Sequence, residues 1–315
     1  MQEASQRSTQ HRQVNICREI QNTRREDRPI FGKGVETMKI ARVFPRKTSA
    51  TPTDDLCFFD GPPMLDLPEI DEIHVSVAFT YDKEKAERMA YQWEVVGVLV
   101  KIGGPAYNDH GDDFVAGKYI KQGYTMTSRG CNNNCWFCVV PRREGKIREL
   151  QIVDGFNVMD NNLLQCSDNH INAVFDMLSN QKEHPLFTGG LEAKMLKHWH
   201  CEKLIQAKTQ RMFFAYDTPD DLDPLIEAGK MLRSVGYTHF DRRLYCYCLI
   251  GFNGDTFEKA ENRMMEAFHA GFIPFAMLYK NEKGETDKMW RRFQREYTRP
   301  EILFTKLKTL NLKGK

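Results

Sequence analysis

Apolar residues follow two rhythms along this chain, alternation at every second position and recurrence at every third or fourth. Residues 1–37 follow neither. Gln, Arg, Glu, Ser and Thr dominate there, and a disordered or loosely helical extension is expected. Met38 opens the apolar run KIARVF, where folded structure is predicted to begin. Strand-like runs then occupy residues 39–44, 56–59, 73–80 and 98–102. Between the last two, Ala86, Met89, Ala90 and Trp93 recur at helical spacing and mark one apolar helix face over 81–94. Strand, helix and strand followed by Gly103-Gly104-Pro105 predict a βαβ unit with a turn at the carboxyl end of its last strand.

From Lys118 the alternation resumes with a longer beat. Strands are predicted near 124–127, 156–159, 186–188, 212–216, 243–250 and 273–278, with helical segments between them. In 255–270 the positions Phe257, Ala260, Met264, Ala267 and Phe268 trace one stripe, and another helix is expected from Pro219 to about Gly236. Successive strands begin at intervals close to the ~31 residues of an average barrel βα unit. The length accommodates six such units, not eight. The expected fold is therefore α/β: a partial (βα)6 TIM-like barrel over 118–280, preceded by a small Rossmann-like α/β domain over 38–117 and followed by a basic helical segment over 281–315. No G-x-G-x-x-G opens a helix in the first domain, so no dinucleotide fingerprint is present.

Composition narrows the function. Of the 315 residues 41% are hydrophobic, enough for a core, and 45 basic against 43 acidic residues leave a charge of +2, which argues for no polyanionic partner. No apolar stretch approaches the ~20 residues of a bilayer span. The polar start MQEASQRSTQ lacks a secretory h-region, so a cytoplasmic location is expected. Nine cysteines, an odd number, do not read as a secreted disulfide framework but as thiols in a reducing compartment.

Three of them are closely spaced. After Thr127-Ser128-Arg129-Gly130 comes CNNNCWFC, a C-x3-C-x2-C motif formed by Cys131, Cys135 and Cys138. Such short separations oppose disulfides. The thiolates can converge on one metal centre, either zinc or an iron–sulfur cluster. Zinc normally takes four protein ligands in two separated pairs. A triplet without a nearby fourth ligand fits a cubane that leaves one iron open.

With this motif after the first barrel strand, and Phe137 before the third cysteine, the sequence resembles the radical S-adenosylmethionine superfamily. The resemblance implies a [4Fe–4S] cluster on Cys131, Cys135 and Cys138 whose open iron binds S-adenosylmethionine. It further implies a one-electron donor such as flavodoxin or ferredoxin, and reductive cleavage to a 5′-deoxyadenosyl radical that abstracts hydrogen from a substrate. Further positions match in order. Asp160, Asn161 and Asn162 stand where the family holds the methionine amino group, departing from its common Gly-Gly-Glu; an ordinary Asx turn is the alternative. Glu192 closes the third strand. Tyr216 and Asp217 end the fourth, as ribose and methionine contacts or as a buried tyrosine and a helix cap. Ile250 and Gly251 end the fifth, beside adenine in the family. All lie at carboxyl ends of predicted strands, where parallel barrels build their sites.

The first domain is similar to that of the cobalamin-binding subgroup. The subgroup's D-x-H-x-x-G is not matched by Asp109-His110-Gly111, and His74 lies inside a strand, so cobalamin is not expected. Residues 280–315 hold 11 basic and 5 acidic residues, with Trp290, Phe293 and Tyr297 on one helical face. That face is either a nucleic-acid platform on a non-catalytic iron–sulfur or zinc protein, or packing for a terminal helix. Cys246 and Cys248 share a face with Ile250 and are expected to point into the lumen. There they would be plain packing, substrate contacts or ligands of a second cluster, with Tyr245 and Tyr247 against the helices. Cys17, Cys57, Cys166 and Cys201 are scattered and read as unreactive thiols.

Overall fold

The computed structural model describes residues 38–109, 112–238, 241–281, 283–299, 302–306 and 309. The extension expected over 1–37, with Cys17, and the pair His110 and Gly111 lie outside the described residues. From Lys39 the chain gathers into one compact unit.

The first sheet is built from β1 (Ile40–Val43), β2 (Cys57–Phe58), β3 (Glu72–Ser76) and β4 (Leu99–Gly103), all parallel, in the order β2-β1-β3-β4. The crossover from β3 to β4 is α1 (Lys83–Trp93), which buries the expected face through Ala86, Met89 and Trp93. Trp93 anchors it: the ring packs on Phe58 at 4.8 Å, and the indole N–H donates to the Asp60 carbonyl at 2.9 Å. A fully buried side chain of that kind contributes about 2–3 kcal/mol by its apolar area alone.

The second sheet starts with β5 (Tyr124–Thr125). It is followed by an antiparallel pair that the apolar pattern does not announce, β6 (Ser128–Arg129) with β7 (Arg148–Glu149), enclosing the short α2 (Val140–Arg143). Then come β8 (Asn157–Val158), α3 (Asp168–Ser179), β9 (Leu186–Leu191), α4 (His198–Gln206), β10 (Arg211–Ala215), α5 (Leu222–Ser234), β11 (Leu244–Ile250), α6 (Phe257–His269) and β12 (Ile273–Leu278). The sheet order β12-β11-β10-β9-β8-β5 is sequential and wholly parallel, with β5 and β12 at its two edges. The class is thus mixed α/β with parallel sheets. Each sheet has its own apolar cluster, one around Ile73, Val75 and Trp93 and one around Phe187, Phe214 and Met264.

α7 (Lys288–Glu296) lies on α6. Trp290 packs on Phe257 at 4.4 Å and Phe293 on Tyr297 at 5.0 Å, and Tyr297 is fully buried with its hydroxyl donating to Glu261. The aromatic stripe is consumed by packing while its arginines remain outside, so Phe293 and Tyr297 offer no face for stacking bases. Among the described residues no helix is long and apolar enough to cross a membrane.

Candidate metal and cofactor site

The three motif cysteines lie on the loop between β6 and α2, each half-buried. Gly130 makes the loop possible. Its φ is +89°, and a Cβ would meet the Lys146 carbonyl oxygen at 2.1 Å, so only glycine lets the two arms close. Two backbone bonds fix the curl, from Cys131 N–H to the Gly145 carbonyl at 3.1 Å and from Cys138 N–H to that of Cys135 at 3.0 Å. Burial pushes the Cys135 thiol up to about 11, and the neighbouring Cys138 and Cys131 add to it. Cys138 is raised for the same leading reason. A metal must therefore displace protons to bind here. Among the described residues no fourth histidine, cysteine or carboxylate joins the three at the 4.8 Å spacing that would clasp one ion, and the thiols themselves are not drawn that close. Three half-buried thiols on one loop can serve as ligands of a metal ion or of an iron–sulfur cluster.

The carboxyl ends of the strands supply the rest. Asp160 is buried, and both its oxygens are taken: one accepts from the Thr127 N–H at 2.6 Å, the other from the Thr127 and Ser128 hydroxyls at 2.6 and 2.7 Å. These bonds clamp β8 to the entry of the cysteine loop. Asn161 acts likewise, its side-chain oxygen accepting from Gly130 N–H at 3.0 Å. Asn162 faces the thiols. Its amide donates to Glu192 at 2.6 Å and approaches the Cys131 sulfur at 3.8 Å, while its Oδ1 is buried without a partner. Glu192 also accepts from Gln165 at 2.8 Å, and Gln165 in turn holds the loop through Asn132 N–H at 2.7 Å and Asn133 at 3.2 Å. Gln165 was not legible as a site residue, because it sits in a short 3-10 turn, Leu163–Gln165, with no motif around it.

Asp217, at the end of β10, accepts from Leu249 N–H at 2.9 Å, and its charge reaches Cys135 and Cys138. Burial, followed by the neighbouring Asp221, lifts its carboxyl to about 7. Gly251 has a φ of +72°, its N–H bonds Asp255, and the adjacent Phe252 meets Trp136 of the cysteine loop at 5.4 Å. The loop and the end of β11 are thereby brought together. Tyr216 and Ile250 are not. Tyr216 is buried with its hydroxyl on Glu266 of α6, and Ile250 is fully buried in the cluster that contains Ala260, Met264 and Ala267 of the same helix.

That parity corrects the face assigned to β11. Cys246 and Cys248 are fully buried on the helix side with Ile250, whereas Tyr247 stacks on Phe213 at 4.3 Å and meets Phe275 edge-on across the opposite face. Small side chains let the helices approach the sheet closely, and the bulky aromatics fill the wider concave side. The two thiols thus belong to the core, and burial raises the Cys246 pKa. Cys166 and Cys201 are buried, and Cys57 bonds the Pro52 carbonyl, each with its pKa raised by burial.

Elsewhere, Glu72, His74 and Asp113 bring three donors within 4.8 Å, but the Lys101 ammonium sits at 2.8 and 3.0 Å from the two carboxylates and is the cation of that cluster. His74 spends both ring nitrogens, on Tyr119 and on Glu72.

No known protein-family model matches the chain, and no curated protein matches it. Among solved structures it is similar to one described as radical S-adenosylmethionine methyltransferase, TsrM, from Kitasatospora setae with cobalamin and [4Fe–4S] cluster bound. The identity is 14%, the TM-score 0.37, and the match covers 50% of this chain and 36% of that one.

Proposed function

We propose that the chain is a radical S-adenosylmethionine enzyme, built on a partial (βα)6 barrel over 118–280, with Cys131, Cys135 and Cys138 holding a [4Fe–4S] cluster. What carries this reading is the loop itself: three half-buried thiols in a C-x3-C-x2-C spacing, with Asn162 beside Cys131 and its buried oxygen without a partner. When bound and reduced by one electron, the cluster supplies reductive cleavage of S-adenosylmethionine to a carbon radical. The protein's own part is placement. Asp160, Asn161 and Gln165 set the loop, and Asn162 offers an oxygen to an amino group. Gly190, with φ +118° and no atom within 4 Å of where a Cβ would stand, keeps the approach open. Glu192 and Asp217 would place carboxylates near the bound cofactor. The upstream sheet over 38–117 is a domain of cobalamin-binding type without that cofactor. A flavodoxin or ferredoxin in the cytoplasm is the electron donor, and hydrogen abstraction is the reaction.

The test is anaerobic loading with iron and sulfide, followed by reduction with S-adenosylmethionine present. Wild type should gain broad visible absorbance and release 5′-deoxyadenosine. Cys131→Ala, Cys135→Ala and Cys138→Ala should each lose most iron and all cleavage, because thiolate ligation needs all three sulfurs. Full iron and cleavage in any one of them would sink the assignment.

A further inference from the structure

A cavity of about 300 Å³ lies outside the carboxyl ends of the first sheet, and none of Asn162, Glu192 or Asp217 lines it. Phe44 beyond β1 and Ser76 at the end of β3 border it. In the order β2-β1-β3-β4 the chain runs outward from β1 to β2 and then returns across β1 to β3, so the topological switch point falls between β1 and β3. Open parallel sheets bind ligands at that place. The opposite wall comes from the second sheet: Met126, Met159 and Arg129, the last two residues before the cysteine loop being Arg129 and Gly130.

The lining specifies the ligand. Most of it is apolar, including Phe79, Phe114 and Ile120. Of its four charged lining residues, Arg46 and Asp82 satisfy each other through two bonds of 2.8 and 2.7 Å, and Glu144 accepts from Arg129. Arg129 is different. It is 6% exposed, one terminal nitrogen bonds Glu144 at 2.9 Å, and its Nε is buried with no partner. Glu144 is shared with Arg143 and Arg148, so the carboxylate that holds Arg129 is divided among three guanidinium groups. A buried guanidinium N–H without a partner, in the wall of a largely apolar cavity, is a site for an anionic oxygen.

We infer that this cavity binds a small molecule with an apolar body and one carboxylate, held by Arg129 and delivered to the edge of the cysteine loop. Its role as the substrate rests on the function proposed above; the binding does not. Calorimetry on the full chain, before and after iron loading, separates the two. The probe is 3-phenylpropionate, with its uncharged amide as the control. The acid should bind at least about tenfold more tightly than the amide, since charge-assisted bonds are roughly twice as strong as neutral ones. Arg129→Gln should bring acid and amide to equal affinity. Ala116→Phe, at a half-buried lining position, should abolish binding of both with an unchanged melting temperature. The Ala116 variant and the acid–amide comparison decide the matter even where Arg129→Gln does not fold. Equal affinity for acid and amide in wild type, no binding of the acid, or unchanged binding in Ala116→Phe would each overturn the inference, whether or not S-adenosylmethionine is cleaved.

Discussion

Asp160 ties the strand β8 to the entry of the cysteine loop through its side chain. The resemblance places it where the methionine amino group is held, and its carboxylate accepts from three donors on Thr127 and Ser128. Asp160→Ala would orphan those buried donors at about 1–3 kcal/mol each, and we expect a loss of roughly 3–5 kcal/mol in urea unfolding. A loss under about 1 kcal/mol would show the clamp to be unimportant. His200 carries a prediction of another kind. Its ring is 1% exposed, Nδ1 accepts from Lys197 N–H, Nε2 has no partner, and burial lowers its pKa to about 4. Because the folded value lies below the unfolded one, its stabilisation is full above about pH 6.5 and is lost as the pH falls towards 4. The upper limit is roughly 3 kcal/mol. His200→Gln should flatten the stability difference between pH 7 and pH 5, and an unchanged difference would assign that slope to other groups. Neither detail was legible in the sequence, since both depend on which atoms meet across distant segments.

Strands and helices were far more legible. Every predicted parallel strand exists, and most bounds shift by only one or two residues, because apolar alternation and helix stripes report burial directly. The β6–β7 pair was not, as Ser128–Arg129 and Arg148–Glu149 are polar and are held by the hairpin around the cysteine loop. The face of β11 was misassigned for a related reason: alternation says which residues share a side, not which side the helices cover. With Cys246 and Cys248 beneath α6, a Cys246→Ser, Cys248→Ser double variant should keep about four irons per chain, like wild type, while losing some stability to two buried hydroxyls. About eight irons falling to four would instead establish a second cluster. The adjoining glycines of β9 give a ranking. A Cβ on Gly189 would meet the Asp160 carbonyl oxygen at 2.0 Å, whereas one on Gly190 meets nothing within 4 Å and suffers only from a φ of +118°. Gly189→Ala should therefore lower the melting temperature much more than Gly190→Ala, whose cost is about 1–2 kcal/mol. The opposite order would contradict the strand register.

The two parallel sheets turn the carboxyl ends of β1 and β3 and the residues leading into the cysteine loop towards one cavity, where the expectation that the upstream domain holds no cobalamin can be tested. A corrinoid held by a protein imidazole needs a histidine with a free ring nitrogen at that cavity. Among the described residues lining it there is none. His74, the histidine inside β3, is fully buried, and both its ring nitrogens are engaged by Tyr119 and Glu72, with Lys101 completing the network. Freeing it would break a bond on each side of the ring and leave Glu72 with Lys101 alone. The expectation of no cobalamin means that protein produced with cobalamin supplied and purified anaerobically should contain well under one cobalt per chain by elemental analysis. His74→Gln should leave that value unchanged while lowering the stability of the first sheet. One tightly held cobalt per chain, in wild type, would overturn this reading of the domain. If that cobalt were lost in His74→Gln, it would name His74 as the lower ligand and move the chemistry towards methyl transfer.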